Sequence, residues 1–413
     1  MAAPRIKPIL AIFITVLIDM LGFAMFIPDI QLRGKHIAHL TYGPNLSDAA
    51  LGTFIGLMLA SFSIAQLLTA PILGRISDIY GRRSVLLLST LLSVGAYLIY
   101  GFVESATGIF LARILSGIAA ANLGVAFAYV ADTTKPEDRA KSLGLLGAAF
   151  GIGFIIGPVL GALLLNLAND KPTLLGIVTS VLCLVNFIFI WTSVPESVKK
   201  SETPATRPSP IADLRRALTT PGLNLTLFMF FAYNLCFVNL ETTYFRLIED
   251  KNWIFRFEDP KTQGAYVLLV VGLVGAFVQG YLIRIFSKKY GELKTLRMAY
   301  LLFVPAFALV PFTPMWFPGV IGILALGLAS GLAQPSLNSI ISRTAPATMQ
   351  GGIFGIMQAL GAVARAVGPL ISHRLYSVQP YAPYVLGAVL ALFPTVAAWM
   401  WLKMPDDVTH QAH

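Results

Sequence analysis

Runs of about twenty apolar residues recur from one end of this chain to the other, and the polar positions between them fall in short connections rich in lysine and arginine. An α-helix needs about 20 residues to cross the hydrocarbon of a bilayer, so each run predicts one membrane-spanning helix. Six runs cover residues 9–31, 49–73, 84–103, 107–132, 141–165 and 173–194. Six more cover 222–247, 263–287, 293–312, 316–341, 350–374 and 381–403. The expected architecture is an all-α membrane protein with an N-terminal six-helix bundle at 1–194, a polar linker at 195–221 and a C-terminal six-helix bundle at 222–413. The linker is rich in proline and carries Lys199, Lys200, Arg207, Arg215 and Arg216, with a short amphipathic helix predicted at Ile211–Leu218.

Composition supports the pattern. Of the 413 residues 56% are hydrophobic and 12% charged, and the mean hydropathy is +0.74. A soluble domain carries about one-quarter charged residues, so a water-soluble fold is excluded. The net charge of +10 could suggest a nucleic-acid partner in a soluble protein, but here topology accounts for it. Arg75, Arg82, Arg83, Lys135, Arg139, Lys141, the linker bases, Lys288, Lys289, Lys294, Arg297 and Arg343 fall in alternate connections, on the same side as both termini. Positive residues mark the cytoplasmic side, so both termini are expected there. The first run carries Asp19 and lacks a small-residue cleavage site, so it reads as a permanent span. Cys183 and Cys236 lie inside spans, where they read as small hydrophobes.

The two halves echo each other. Aligning Gly157-Pro158 with Gly368-Pro369 places Gly144 on Gly355, and Tyr80-Gly81 matches Tyr290-Gly291. Such internal symmetry is expected of a transporter built from repeated bundles around a central pathway.

Several residues carry candidate chemistry. Asp19, set among Leu17, Ile18, Met20 and Leu21, is costly to ionise and is a candidate proton carrier, or a buried aspartate tied to a neighbouring helix. Arg113 lies within an apolar helix, where a charge faces a cavity or a partner by default, or snorkels to the interface. Glu241 and Arg365 stand in otherwise apolar spans and should face the central cavity, either pairing structurally or serving a charged substrate or proton. In GRISDIYGRR, Gly74 and Gly81 permit a tight turn, and Asp78 can pair with Arg82 or Arg83 at a helix end. Gly144, Gly153, Gly157-Pro158 and Gly161 open a groove for close helix packing with a bend at the proline. Gln66, Asn122, Asn234, Asn239, Gln334 and Asn338, with Phe127, Tyr233 and Phe237 nearby, suit an apolar cavity with a few polar anchors, or bonds between helices. The histidines at 36, 39, 373, 410 and 413 read as solvated loop or tail residues. There is no phosphate loop, HExxH or paired-cysteine metal site, so neither an enzyme nor a cofactor is expected.

These motifs resemble the major facilitator superfamily. The segment Gly74–Arg83 is similar to its loop signature, with Ile79 where arginine is frequent. The glycine spacing in span five is similar to the antiporter signature of drug exporters, with Ala162 where a final glycine stands. The chain is most similar to the tetracycline-exporter branch of twelve-helix drug and proton antiporters, in APILGRISDIYGRRSVLLLS and RILSGIAAANLGVAFAYVADTT above all. The resemblance implies proton transfer involving Asp19 and Arg113, a gate in which Asp132 pairs with Arg82, and multidrug efflux across an inner membrane. That branch carries an acidic residue in the ninth span and a histidine in the eighth. Residues 293–312 and 263–287 contain neither, which argues against tetracycline itself.

The expectation is a proton-coupled exporter of small hydrophobic or amphiphilic compounds. Its partners would be the substrate, protons and the bilayer, with the chain acting as a monomer. The rivals are a lipid or lysolipid flippase, a symporter or facilitator for another solute, and a receptor without turnover.

Overall fold

The computed structural model describes residues 8–134, 136–197, 210–250, 260–312, 316–346 and 350–402. Among the described residues the regular structure is helical, with no strand. The helices are α1 (Pro8–Tyr42), α2 (Asp48–Tyr80), α3 (Arg82–Phe102), α4 (Ala106–Ala120), α5 (Leu123–Thr133), α6 (Pro136–Leu167) and α7 (Pro172–Ser193). They continue as α8 (Pro210–Thr219), α9 (Leu223–Glu249), α10 (Pro260–Phe277), α11 (Ile283–Leu309), α12 (Trp316–Thr344), α13 (Gln350–Tyr376) and α14 (Ala382–Met400). Local chemistry starts several of them. Ser47 and Ser105 accept from the amides of Ala50 and Gly108 and cap α2 and α4, and Pro172 opens α7 where a missing N–H costs nothing. The linker helix expected at 211–218 is α8.

Eleven stretches of described residues are long and apolar enough to cross a membrane. One of them, Leu269–Phe312, has 44 residues and would run about 66 Å if straight, roughly twice the hydrocarbon thickness. It turns at Gly291, where φ is 76° and ψ 162°, a conformation that favours glycine. The stretch is therefore long enough for two spans, consistent with the twelve expected. Its first part contains a π-helical segment, Val278–Leu282.

Helix ends depart from the hydropathy pattern. The connection expected at 74–83 shrinks to Gly81 alone, with φ 96°, because Asp78 and Arg82 pair along the helix ends instead of interrupting them. Likewise α1 continues past residue 31 to Tyr42, helped by Arg33 folding back onto Asp29 at 2.9 Å. Hydropathy marks where the bilayer ends, whereas hydrogen bonding decides where the helix ends. In the other direction, the span expected at 107–132 is divided into α4 and α5 at Ala121–Asn122.

The chain gathers into two compact units. Unit 1 comprises Met1–Pro204, Val238–Leu269 and Arg365–Pro383; unit 2 comprises Ala205–Phe237, Val270–Ala364 and Tyr384–His413. In unit 1, α1 packs on α6 and α7, α2 on α4, and α3 on α4 and α7. Its core is apolar and aromatic, with Phe26 stacked 5.0 Å from Tyr97 and edge-on to Tyr100 at 4.4 Å. In unit 2, α11 packs on α12, and Tyr233, Phe237, Phe303 and Phe307 form an aromatic row with centroids 5.3 to 6.0 Å apart.

The glycines of span five explain the α1–α6 packing. A Cβ at Gly153 would lie 2.7 Å from Met20 Cβ, and one at Gly157 would lie 2.5 Å from Ala24 Cβ. At Gly161 it would overlap the Met25 carbonyl oxygen. Gly144 lies in the first half of α6, and Pro158 is buried within the helix. The bare face of α6 thus brings its backbone against α1, the helix that carries Asp19. Gly161→Val should cost about 1–3 kcal/mol, the usual range for overpacking, and thermal unfolding in detergent should show a lower midpoint than Gly161→Ala.

Candidate functional site

Asp19 is 3% exposed, and it lies beside the side-chain amide of Asn122 at the break between α4 and α5. At that break the backbone tightens into i→i−3 bonds, with the amides of Ala121 and Asn122 reaching Ile118 and Ala119 at 3.3 Å. Gln66 Nε2 of α2 donates to the Ala120 carbonyl at 2.9 Å, so an inter-helix bond satisfies the interrupted ladder. Asn122 and Gln66, expected as substrate anchors, here shape the backbone facing Asp19.

One helical stretch away in α4, Arg113 is 1% exposed, which rules out snorkelling. Its guanidinium lies 4.8 Å from the ring centroid of Phe62 and 5.5 Å from that of Phe23, and its three nitrogens have no hydrogen-bond partner among the described residues. Arg365 of α13 approaches the same Phe23 ring at 6.0 Å and donates to Gln66 Oε1 at 3.4 Å. Glu241 of α9 lies within electrostatic reach of both Arg365 and Arg113. Its backbone carbonyl accepts from Gln31 Nε2 at 2.6 Å. Tyr97 lies within electrostatic reach of both Asp19 and Arg113.

Unit 1 therefore brings together Asp19, Gln66, Arg113, Asn122, Glu241 and Arg365, from α1, α2, α4, the α4–α5 break, α9 and α13. Arrangements of this kind can bind a proton on a carboxyl and hold an anion against a guanidinium. Of the remaining expected anchors, Asn234, Phe237, Gln334 and Asn338 belong to unit 2 and Asn239 to unit 1. Asn234 bonds its own helix at the Phe230 carbonyl, 2.8 Å away, Phe237 joins the aromatic row, and Gln334 and Asn338 are half-buried on α12. Asn239 is fully buried and accepts from Ser372, an inter-helix bond. Among the described residues no three His, Cys, Asp or Glu side chains gather as metal ligands.

The loop signature forms a charged knot. Arg82, 2% exposed, donates to Asp78 at 2.5 Å, to Asp132 at 3.2 Å and to Ser77, while its outermost reach is the Gly74 carbonyl at 3.5 Å. The spacing did not reveal Glu196. Its two carboxylate oxygens accept from the backbone amides of Arg82 and Arg83 at 2.8 and 3.1 Å, and Arg83 donates onward to the Trp191 carbonyl at 2.6 Å. An acid just past the sixth span, after a proline, was the available signal.

Unit 2 holds a counterpart of reversed polarity. After Tyr290-Gly291, Glu292 accepts from Ser339 at 2.8 Å and from Arg343 at 3.0 Å. Where the first repeat sets an arginine against an aspartate, the second sets a glutamate against an arginine.

Histidine assignments change as well. His373, expected in a solvated loop, lies within α13 at 0% exposure, because the helix continues to Tyr376. His36 and His39 lie in the final turns of α1, while His410 and His413 fall outside the described residues. Both cysteines are buried.

Comparison with known proteins bears on these features. The profile of the Major Facilitator Superfamily matches residues 12–369 and 282–412. The chain is 28% identical over 436 residues to Major facilitator superfamily domain-containing protein 10 of Bos taurus, covering 95% of this chain and 92% of that protein. It is 29% identical over 402 residues to Tetracycline resistance protein, class C, of Escherichia coli, covering 94% and 96%. The crystal structure of the human organic anion transporter MFSD10 (TETRAN) superposes with a TM-score of 0.70 at 26% identity, covering 96% of this chain and 100% of that one.

Glu196→Gln should weaken the anchorage of the loop. Hydrogen exchange at the Arg82 and Arg83 amides should then quicken roughly tenfold, about what the loss of one net hydrogen bond allows, with amides in the middle of α3 unchanged.

Proposed function

The chain belongs to the major facilitator superfamily, and on that premise we propose that it is a proton-coupled exporter of amphiphilic organic compounds working by alternating access. The observation that carries this reading is the buried cluster of Asp19, Glu241, Arg113 and Arg365 within apolar helices. Ionisable groups in that setting are expensive, and holding charge there is useful to a carrier that binds a proton or a charged solute. Asp19 is the proton carrier. Protonation removes a charge, so it shifts the balance between two access states by its difference in affinity for them. Tyr97 and Arg113 tune how readily that proton leaves, and α6, packed by its glycines, guides α1 as it moves.

The bodies that rock are the halves 1–194 and 222–413, with 195–221 as their tether, in an inner membrane with both termini cytoplasmic. The Arg82–Asp132 pair locks the cytoplasmic ends. No cofactor and no second chain enter the cycle. Export is favoured over uptake by the span-five glycines and by the tetracycline resistance relatives.

A negatively charged substrate is favoured by a specific observation. Two buried guanidiniums lie 5.5 and 6.0 Å from the centroid of the Phe23 ring, and Arg113 has open donors, a combination that suits a carboxylate on an aromatic body. The organic anion transporter among its structural neighbours supports the same class.

The test is substrate-evoked proton flux in sealed liposomes carrying a pH dye, with lipophilic cations, neutral drugs, aromatic carboxylates and lysolipids as probes. Wild type should respond to aromatic carboxylates, and Asp19→Asn should abolish the proton signal while substrate binding persists. Substrate movement indifferent to both pH and Asp19 would sink the coupling and favour a facilitator or flippase.

A further inference from the structure

At the ends of the spans away from the loop signature, unit 1 contains a second charged hub that the transport cluster does not use. Its centre is Arg246, near the end of α9. The guanidinium carbon lies 4.2 Å from the ring centroid of Tyr376, and Nη1 lies 3.4 Å from His373 Nδ1, both on α13. A guanidinium only donates, so the imidazole nitrogen facing it is the acceptor. Asp48, at the start of α2, and Asp250, just past α9, lie within electrostatic reach of the same guanidinium. The Tyr376 hydroxyl donates to Asp250 Oδ2 at 2.7 Å and lies 3.2 Å from the Arg246 carbonyl.

The approach of α2 to this hub is made possible by glycine. A Cβ on Gly52 would lie 2.8 Å from the His373 carbonyl oxygen and 3.3 Å from Arg246 Nη1. One on Gly56, four residues later on the same face, would lie 3.0 Å from the Pro369 carbonyl oxygen. Here α2 meets the backbone of α13 directly, in a Gly-x-x-x-Gly contact. Such a contact is short-ranged and is lost after a small separation, and the single guanidinium at its edge loses Asp48 with it.

Permanent packing would need only the glycines. A partly buried arginine shared by three helix ends adds desolvation cost, and it suits a joint whose parts return to water in one of two states. Gln31, bonding α1 to the Glu241 carbonyl, extends the joint toward the transport cluster.

We propose that Arg246, with Asp48 on one side and His373 and Tyr376 on the other, is a latch that holds α2, α9 and α13 together at these ends and opens once per cycle. The latch rests on the alternating-access reading, but its test does not depend on proton coupling. Thr53 on α2 and Arg374 on α13 are exposed, so Thr53→Cys with Arg374→Cys places spin labels across it, in a Cys183→Ala, Cys236→Ala background. Arg75→Cys with Gly355→Cys reads the opposite ends of the same helices. Pulsed electron paramagnetic resonance in liposomes should show the 53–374 distance lengthening in Arg246→Gln and Gly56→Leu, with the 75–355 pair moving in the opposite sense. Arg246→Lys and Gly56→Ala should give the same shifts in smaller measure, which keeps the test sound if the larger changes prevent folding. A short bifunctional maleimide joining residues 53 and 374 should stop transport. Unaltered distances in variants that keep the wild-type unfolding temperature, or normal transport in the cross-linked protein, would overturn the latch. Persistence of proton flux in Asp19→Asn would instead overturn the coupling and leave the distance shifts as a separate result.

Discussion

The cost of holding charge away from water governs this structure. Most of the chain can be apolar in every direction without penalty, because lipid and protein interior solvate its side chains equally well. A handful of ionisable groups cannot. Asp19, Arg113, Glu241 and Arg365 are all drawn inward, and each is met by an aromatic face, an amide or an opposite charge contributed by another helix. Helix packing follows from that requirement. Glycines on α6 and α2 allow backbones to approach where side chains would hold them apart, against α1 and α13, the helices that carry Asp19 and Arg365.

Much of this was legible in the sequence. The length and recurrence of apolar runs give the class of fold, and an isolated charge within a run identifies Asp19, Arg113, Glu241 and Arg365 without any structure. Three kinds of feature stayed hidden. Helix ends did, because Asp29 with Arg33 and Asp78 with Arg82 satisfy each other along the helix and let it continue where hydropathy falls. Partnerships between distant positions did too. Glu196 binds the amides of Arg82 and Arg83 from more than a hundred residues away, and no local pattern encodes that distance. Finally, His373 lay close enough to the end of an apolar run to pass for a loop residue, although one further turn of helix buries it beside Arg246.

The polar side chains divide by task. Gln66 satisfies a carbonyl at the α4–α5 break, and Asn122 sits at the break itself beside Asp19. A broken helix costs hydrogen bonds in a membrane, and it persists where neighbouring side chains restore them. The break gives Asp19 a polar neighbour while the carboxyl stays buried.

The polarity reversal between the repeats bears on how such a chain assembles. After the left-handed glycine, one repeat presents Arg82 to Asp132 and the other presents Glu292 to Arg343. Two repeats of similar shape emerge in succession during synthesis, and a helix start from one could dock on a helix end from the other. Arg82 set against Arg343, or Glu292 against Asp132, would bring like charges together at close range, where opposite charges bind. Each helix start thereby finds its electrostatic complement in its own repeat and like charge in the other.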